Sequence, residues 1–413
     1  MKIGMFTETY VPEVNGVVTS ILTLKNELER LGHQVYIFCP TNPEVEEMPN
    51  VLRLPSIPFV NYEDRRVIVR GLHEATQLAK RYDLDIIHTH TEFGAGILGK
   101  MVAKKMNIPV VHTFHTYYED YLHYFANGKL TPRPVIKRYC KFILDDMDGV
   151  ICPSKKVTDW LESMDVESPM TIIPTGIYVD KFLREDITDE DIANLRKKLG
   201  ITDDEIMLLS LCRVSYEKNI QALIKGFVDI HKQKPNTKFV IVGKGPYMED
   251  LQELAKELGL TDSVQFAGEV PNTEAAYYYK AADYFVSAST SETQGLVYPE
   301  SIASGTQVIA ANSIYLESLL NHPSLGITYD GDEHFAQVAL DYMEAQIPLD
   351  EKILEDKLYE ISSENFGQTI YEYYLETLVK YSKEQREKGR MSATERFKNR
   401  MPKPRVPKIL KNQ

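Results

Sequence analysis

Apolar residues in this chain fall into short runs, separated by segments where they recur every three or four positions. KIGMFT (2–7), QVYIFC (34–39), DIIHTH (85–90), PVVHTF (109–114) and GVIC (149–152) read as strands. Between the first two, Val17, Val18, Ile21, Leu24, Leu28 and Leu31 repeat at helical spacing, and Gly32 supplies the stop. A second series follows: IMLLSLC (206–212), KFVIVG (238–243), VQFAG (264–268), DYFVS (283–287), QVIA (307–310) and GITY (326–329). Strands alternating with helices predict a parallel sheet covered on both faces, here twice over, so the fold class is α/β with two Rossmann-like, doubly wound domains. The turn-rich IIPTGI (172–177) and a short charged helix over 186–198 place the boundary near 175–200. A helix rich in Tyr, Leu and Ile is predicted over 364–388, and Pro402, Pro404 and Pro407 cannot continue it. The expected division is 1–180, 181–365, a helix 366–385 able to pack back on the first domain, and a basic tail 386–413.

Composition narrows the class. A chain of 413 residues exceeds one ordinary domain, and 43% hydrophobic residues suffice for two cores. No apolar run approaches the roughly 18 residues of a membrane-spanning helix. The apolar start is too short for a signal peptide and is interrupted by Glu8 and Glu13. Cys39, Cys140, Cys152 and Cys212 form no C-x-x-C pair, which fits a reducing, cytoplasmic compartment. A net charge of −13 argues against nucleic acid as a partner. The tail differs: residues 383–413 hold eleven Lys/Arg and three Glu, a local +8 that leaves −21 on the rest. Such a tail either meets an anionic surface or is simply solvated.

In open α/β sheets, ligands sit outside the carboxyl ends of the strands. Asn15-Gly16 follows the first strand. The pair is either a plain turn or a positive-φ approach to a ligand, with a helix N-terminus behind Gly16 suited to phosphate. Arg213 and Lys218 follow a strand of the second series. They are either surface cations paired with Glu217 or holders of a diphosphate, whose charge grows as it leaves. GKGPY (243–247) is another Gly-rich strand end. In SETQGLVYPE (291–300), Gly295 relieves the backbone and Pro299 suits the first turn of a helix. Glu292 falls in the loop and Glu300 in the helix start. Ionised carboxylates accept hydrogen bonds only, so each can take a pair of sugar hydroxyls, while the N–H groups between them can meet phosphate.

SETQGLVYPE resembles the E-x7-E motif of retaining family 4 glycosyltransferases, which have the two-Rossmann GT-B fold with its domains facing across a cleft. RVSYEK (213–218) is similar to that family's R-x4-K, and VNGV (14–17) to its N-terminal Gly loop, with Asn-Gly where many members have Gly-Gly. IIPTGI resembles its interdomain seam and HTFHT (112–116) the segment with its active-site histidine. The matches run in order over residues 1–380. The resemblance implies a nucleotide-sugar donor, with Glu300 on the ribose of UDP and Glu292 on the transferred sugar. It implies Gln294, Gly295 and Leu296 at sugar and phosphate, Arg213 and Lys218 on the leaving diphosphate, His115 near the reacting centre, Val270 near the uracil and Gly16 in the donor loop. It implies no permanently bound cofactor and no dedicated metal site, although a divalent cation could stimulate activity.

The four histidines of HTH (88–90) and HTFH (112–115) offer a rival reading: with Glu92 they could hold zinc, as in a metal hydrolase. Otherwise His88 and His112 pack within strands while His90 and His115 face the cleft. For the acceptor, residues 114, 117, 118, 121, 124 and 125 form an aromatic stripe at helical spacing, which is either core or a membrane-facing surface. Lys129, Arg133, Lys137, Arg138 and Lys141 follow, so segment 114–142 and tail 383–413 are the expected contacts with anionic membrane lipids. The wording of the N-terminal half is similar to bacterial diacylglycerol glucosyltransferases, which implies UDP-glucose as donor, diacylglycerol as acceptor and a peripheral position at the inner face of the cell membrane. The alternatives are a family 4 transferase using GDP-mannose, phosphatidylinositol or a soluble acceptor, and a non-enzymatic sugar-nucleotide-binding protein.

Overall fold

The computed structural model describes residues 1–13, 15–42, 45–59, 62–115 and 133–387. The first sheet has seven parallel strands in the spatial order Val51–Leu54, Gln34–Pro40, Lys2–Phe6, Ile86–Thr89, Val110–Thr113, Gly149–Cys152 and Met170–Ile172. Both faces are covered, which is why its central strands read as continuous apolar runs. Ile3 and Met5 enter one core cluster and Phe6 the other, all with no exposure. The second sheet has six parallel strands in the order Val264–Gly268, Thr237–Val242, Ile206–Leu211, Tyr284–Ser287, Gln307–Ala311 and Gly326–Tyr329. Strand order reverses between Lys2–Phe6 and Ile86–Thr89 in the first sheet, and between Ile206–Leu211 and Tyr284–Ser287 in the second. These are the two switch points at which such sheets take ligands. The architecture is GT-B.

Three features differ from the sequence reading. Val51–Leu54 and Met170–Ile172 are edge strands, so the IIPTGI segment opens inside a strand rather than a turn. Ser56–Phe59 and Tyr62–Ile68 form an antiparallel hairpin. Edge strands need no apolar run, because one side stays open, and these give no such signal. Among the described residues no helix is long and apolar enough to cross a membrane.

The last described helix, Ser363–Glu387, crosses to the first sheet. Phe366, Ile370 and Tyr374 share a cluster with Ile3, Met5, Ile21, Leu24 and Val111. Ser363 Oγ donates to Glu27 Oε1 at 2.8 Å, and a Cβ at Gly367 would lie 2.4 Å from the Glu27 Cβ. Gly367→Leu gains up to about 1 kcal/mol of helix propensity but overpacks this crossing by about 1–3 kcal/mol. The clash outweighs the gain, because the obstructing atom is the root of a side chain rather than its flexible end. The melting temperature is expected to fall by several degrees in a thermal scan.

Candidate active site

The loop after Ile206–Leu211 carries both cations. Tyr216–Lys218 forms one 3-10 turn, closed by Asn219 at φ 53°. Lys218 Nζ meets Glu292 Oε1 at 2.5 Å, and Ser289 Oγ donates to the same oxygen at 3.3 Å. Two glycines hold this loop. A Cβ at Gly243 would lie 1.9 Å from the Cys212 carbonyl oxygen, and one at Gly245 would lie 2.0 Å from that of Val214. The Gly-rich strand end therefore seats the Arg213 loop, a role that only packing reveals.

The loop after Tyr284–Ser287 leads into the helix Val297–Ala303. Gly295 has φ 82°, a region that disfavours residues with a Cβ, and a Cβ there would also strike the Tyr298 ring at 2.5 Å. The half-buried Glu300 accepts a hydrogen bond from Tyr279 Oη at 3.1 Å. Burial pushes its carboxyl up to about 7, partly offset by that hydrogen bond. Val270 and Leu296 pack against the cluster that contains Tyr279. The spacing of Glu292 and Glu300 was legible in sequence, but Tyr279, 21 residues before Glu300, was not.

Gln294 was expected at sugar and phosphate. Its side chain is instead committed to the seam: Thr175 N donates to Oε1 and Nε2 donates to Thr175 O, both at 2.7 Å. The same loop receives Ser154 Oγ at Thr293 O and Lys156 Nζ at Thr290 O, the latter at 2.7 Å. Three residues of the first half thus hold the segment that carries Glu292.

In the first half, Gly16 opens the helix Gly16–Arg30, capped by the Asn15 side chain, which accepts from Val18 N at 3.0 Å. Asn15 has φ −159° and Gly16 is helical, so the positive-φ turn expected of this pair is replaced by a helix N-cap. Nothing lies within 4 Å of a Cβ built on Gly16. Glu8, which sequence reasoning passed over, is half-buried at the switch point. Its Oε1 accepts from Ala95 N at 2.6 Å and its Oε2 from Thr91 Oγ1 at 2.5 Å, and burial raises its carboxyl to about 7.

His115 is half-buried beyond the end of Val110–Thr113. His90 was expected to face the cleft but is only 1% exposed, with Nδ1 3.2 Å from His115 Nε2. Its ring stacks on that of His115, centroids 5.5 Å apart, so it forms the layer under His115. His88 uses both ring nitrogens, on Tyr374 Oη at 2.6 Å and Thr113 Oγ1 at 2.7 Å. His112 Nδ1 engages Thr89 Oγ1 at 2.7 Å, and its Nε2 is 3.5 Å from Glu92 Oε1. These commitments are structural, and among the described residues no group of three or more His, Cys, Asp or Glu is gathered for a metal. Burial holds His88 and His90 well below the usual imidazole range and His115 down to about 3. All three are neutral at pH 7.

Two Rossmann-like domains, with cations and carboxylates at one switch point and a histidine near the other, define a GT-B glycosyltransferase. Residues 14–181 match the family described as Glycosyltransferase Family 4, and residues 191–346 match Glycosyl transferases group 1. The chain is 49% identical over 381 residues to the alpha-monoglucosyldiacylglycerol synthase of Streptococcus pneumoniae, covering 92% of this chain and 86% of that one. It is 34% identical over 389 residues to the protein of the same name from Acholeplasma laidlawii, covering 92% and 96%. Among solved structures, a UDP complex of HepE from Anabaena matches with a TM-score of 0.72 at 17% identity, over 90% of this chain and 99% of that one. Sucrose-phosphate synthase from Thermosynechococcus elongatus matches with a TM-score of 0.72 at 21% identity, over 92% and 99%. The chain belongs to glycosyltransferase family 4.

Proposed function

We propose that this protein transfers glucose from UDP-glucose to the 3-hydroxyl of 1,2-diacylglycerol with retention, giving α-monoglucosyldiacylglycerol at the inner face of the cell membrane. The donor half of this reading is carried by the cluster of Arg213, Lys218, Glu292 and Glu300 around one switch point. The acceptor half is supported by the two relatives above, whose names state that product. Glu300 takes the ribose hydroxyls, with Val270 beside the base. Glu292 leaves Lys218 to hold the glucosyl hydroxyls, which frees the ammonium for the diphosphate. Arg213 joins it, Gly295, Leu296 and the open Gly16 line the donor path, and His115 contacts the sugar near its reacting carbon. Gln294 holds this loop to the first domain. The C1–O bond to the diphosphate breaks while the acceptor oxygen bonds C1 on the same face. The acceptor proton passes to the leaving phosphate oxygen, so no enzyme nucleophile is required. Stabilising that leaving group is the main catalytic term. A divalent cation that screens the diphosphate would act in the same sense.

The membrane contact is proposed at the helix Arg133–Leu144. Ile136, Cys140 and Ile143 face the core, while Val135 is 55% and Phe142 is 65% exposed, with Arg138 also outward. Lys137 pairs with Asp165, and Lys141 with Asp145 and Glu167, so this face offers apolar insertion more than net charge. The aromatic run 117–125 and the tail from 388 lie outside the described residues. The double variant Val135→Ser/Phe142→Ser is expected to bind anionic vesicles about tenfold more weakly in a flotation assay, as removing about 1.4 kcal/mol of apolar burial requires. Unchanged binding would remove this helix from the contact.

UDP release from UDP-glucose in the presence and absence of diacylglycerol vesicles tests the function as a whole. Release stimulated by diacylglycerol is expected, with GDP-mannose inert. Equal release with a soluble acceptor alone would favour the cytosolic alternative.

A further inference from the structure

Among the four clustered histidines, the proton positions of one pair are set by what surrounds them. His90 Nδ1 and His115 Nε2 are 3.2 Å apart, so one donates and the other accepts. His90 is 1% exposed, and its second nitrogen, Nε2, is buried with no hydrogen-bond partner among the described residues. Behind it, the His88 ring lies 4.0 Å away, centroid to centroid, with both of its nitrogens used on Tyr374 and Thr113. A neutral imidazole has one proton to place. If His115 donated to His90, the His90 proton would have to sit on Nε2, as a buried N–H without an acceptor. That arrangement leaves a desolvated donor unpaired, and buried orphan donors are rarer than orphan acceptors. If His90 donates instead, the atom left over is a lone pair, and no buried N–H is orphaned.

We infer that His90 is a positioning residue for His115. It donates from Nδ1 to His115 Nε2 and so fixes the His115 proton on Nδ1, as a hydrogen-bond donor to substrate. Burial supports this by keeping both rings neutral. His115 is the one of the four that remains partly open, so its Nδ1–H is the proton available to a ligand. Its partner must then be an acceptor: a sugar hydroxyl oxygen or an oxygen of the leaving phosphate. A metal ion does not fit, since a cation cannot accept a hydrogen bond from an N–H. The consequence for turnover rests on the transferase reading above, but the tautomer itself does not.

Two isosteric replacements separate donor from acceptor at the same place. His90→Asn can present its amide N–H to His115 Nε2. His90→Asp presents only acceptors and draws the His115 proton to Nε2. Nitrogen NMR of the full-length protein with 15N-labelled histidine, assigned with His115→Gln, reads the tautomer directly and needs no substrate. The wild type and His90→Asn are expected to show a protonated Nδ1 and a lone-pair Nε2 at His115, and His90→Asp the reverse. With UDP-glucose and diacylglycerol vesicles, His90→Asp should lower kcat by about a hundredfold with the KM for UDP-glucose little changed, as expected on losing one directed donor. His90→Asn should stay within about threefold of wild type. A wild-type spectrum with the proton on His115 Nε2 would overturn the inference even if His90→Asp does not fold. Correct tautomers without turnover in the wild type would count against the transferase reading and leave the inference standing.

Discussion

Arg213→Ala is expected to lower kcat by two to three orders of magnitude and to leave the melting temperature within a degree or two. The side chain follows the strand Ile206–Leu211 and, among the described residues, forms no hydrogen bond or ion pair, so its loss leaves no orphaned partner. As the glycosyl bond breaks, the diphosphate gains charge, and a guanidinium aimed at it stabilises that charge more than it stabilises the bound donor. Removing one such preorganised donor costs about 2.7–4 kcal/mol of transition-state stabilisation. The KM for UDP-glucose should rise less than kcat falls, because only the growing charge appears in kcat. Lys218→Ala should be as damaging to kcat but should also disturb the resting loop, since it leaves Glu292 without its ion pair. Steady-state kinetics with saturating diacylglycerol vesicles separate the two terms. An Arg213→Ala kcat within threefold of wild type would mean that the diphosphate is held elsewhere.

Glu300→Gln is expected to do two opposite things. Donor affinity should drop by about a hundredfold or more, because two hydrogen bonds from ribose hydroxyls to a charged acceptor become bonds to a neutral one, at about 1.5–3 kcal/mol for each bond to a charged group. At pH 8 the folded protein should at the same time become more stable by a few degrees. The sign follows from the carboxyl having been raised from 4.5 to about 7 by burial. Below pH 4.5 the group is neutral in folded and unfolded chains alike, and no penalty applies. Between 4.5 and 7 the folded state binds the extra proton, so stability is lost as pH rises, approaching about 3 kcal/mol well above pH 7. Glutamine removes that penalty, and its advantage over wild type should vanish at pH 5. Glu8 contributes in the same direction in both proteins, so the comparison isolates Glu300. For the same reason, the wild-type KM for UDP-glucose should fall as pH rises through about 7. Thermal scans and donor titrations at pH 5, 6.5 and 8 check both halves. A site that is strained without its ligand and relieved by it is one proteins commonly trade stability to keep.

Legibility in the sequence followed burial and locality. The central strands are covered on both faces, so Ile3, Met5, Ile86, Ile87, Val110 and Val111 announced them as apolar runs. The edge strands Val51–Leu54 and Met170–Ile172 carry partly exposed residues and gave no such signal. The two carboxylates of SETQGLVYPE were legible because loop, glycine and proline lie within ten residues. What they touch was not: Lys218 reaches Glu292 across 74 residues, and Gln294 reaches Thr175 across 119. The Asn15-Gly16 pair shows the limit of dipeptide rules, because a helix cap claimed the asparagine before a turn could. His90 shows another limit. The sequence reading set it facing the cleft beside His115 but could not say that His115 would lie over it.

The lipid product reports donor, acceptor and stereochemistry together. Purified full-length protein would be incubated with UDP-glucose and mixed vesicles of diacylglycerol and anionic phospholipid, and the lipid extract analysed by mass spectrometry and proton NMR. One hexose on diacylglycerol is expected, joined at the 3-position, with the small anomeric coupling of an α linkage. A β-linked glycolipid would contradict the retaining course, and UDP release without any glycosylated diacylglycerol would contradict the acceptor.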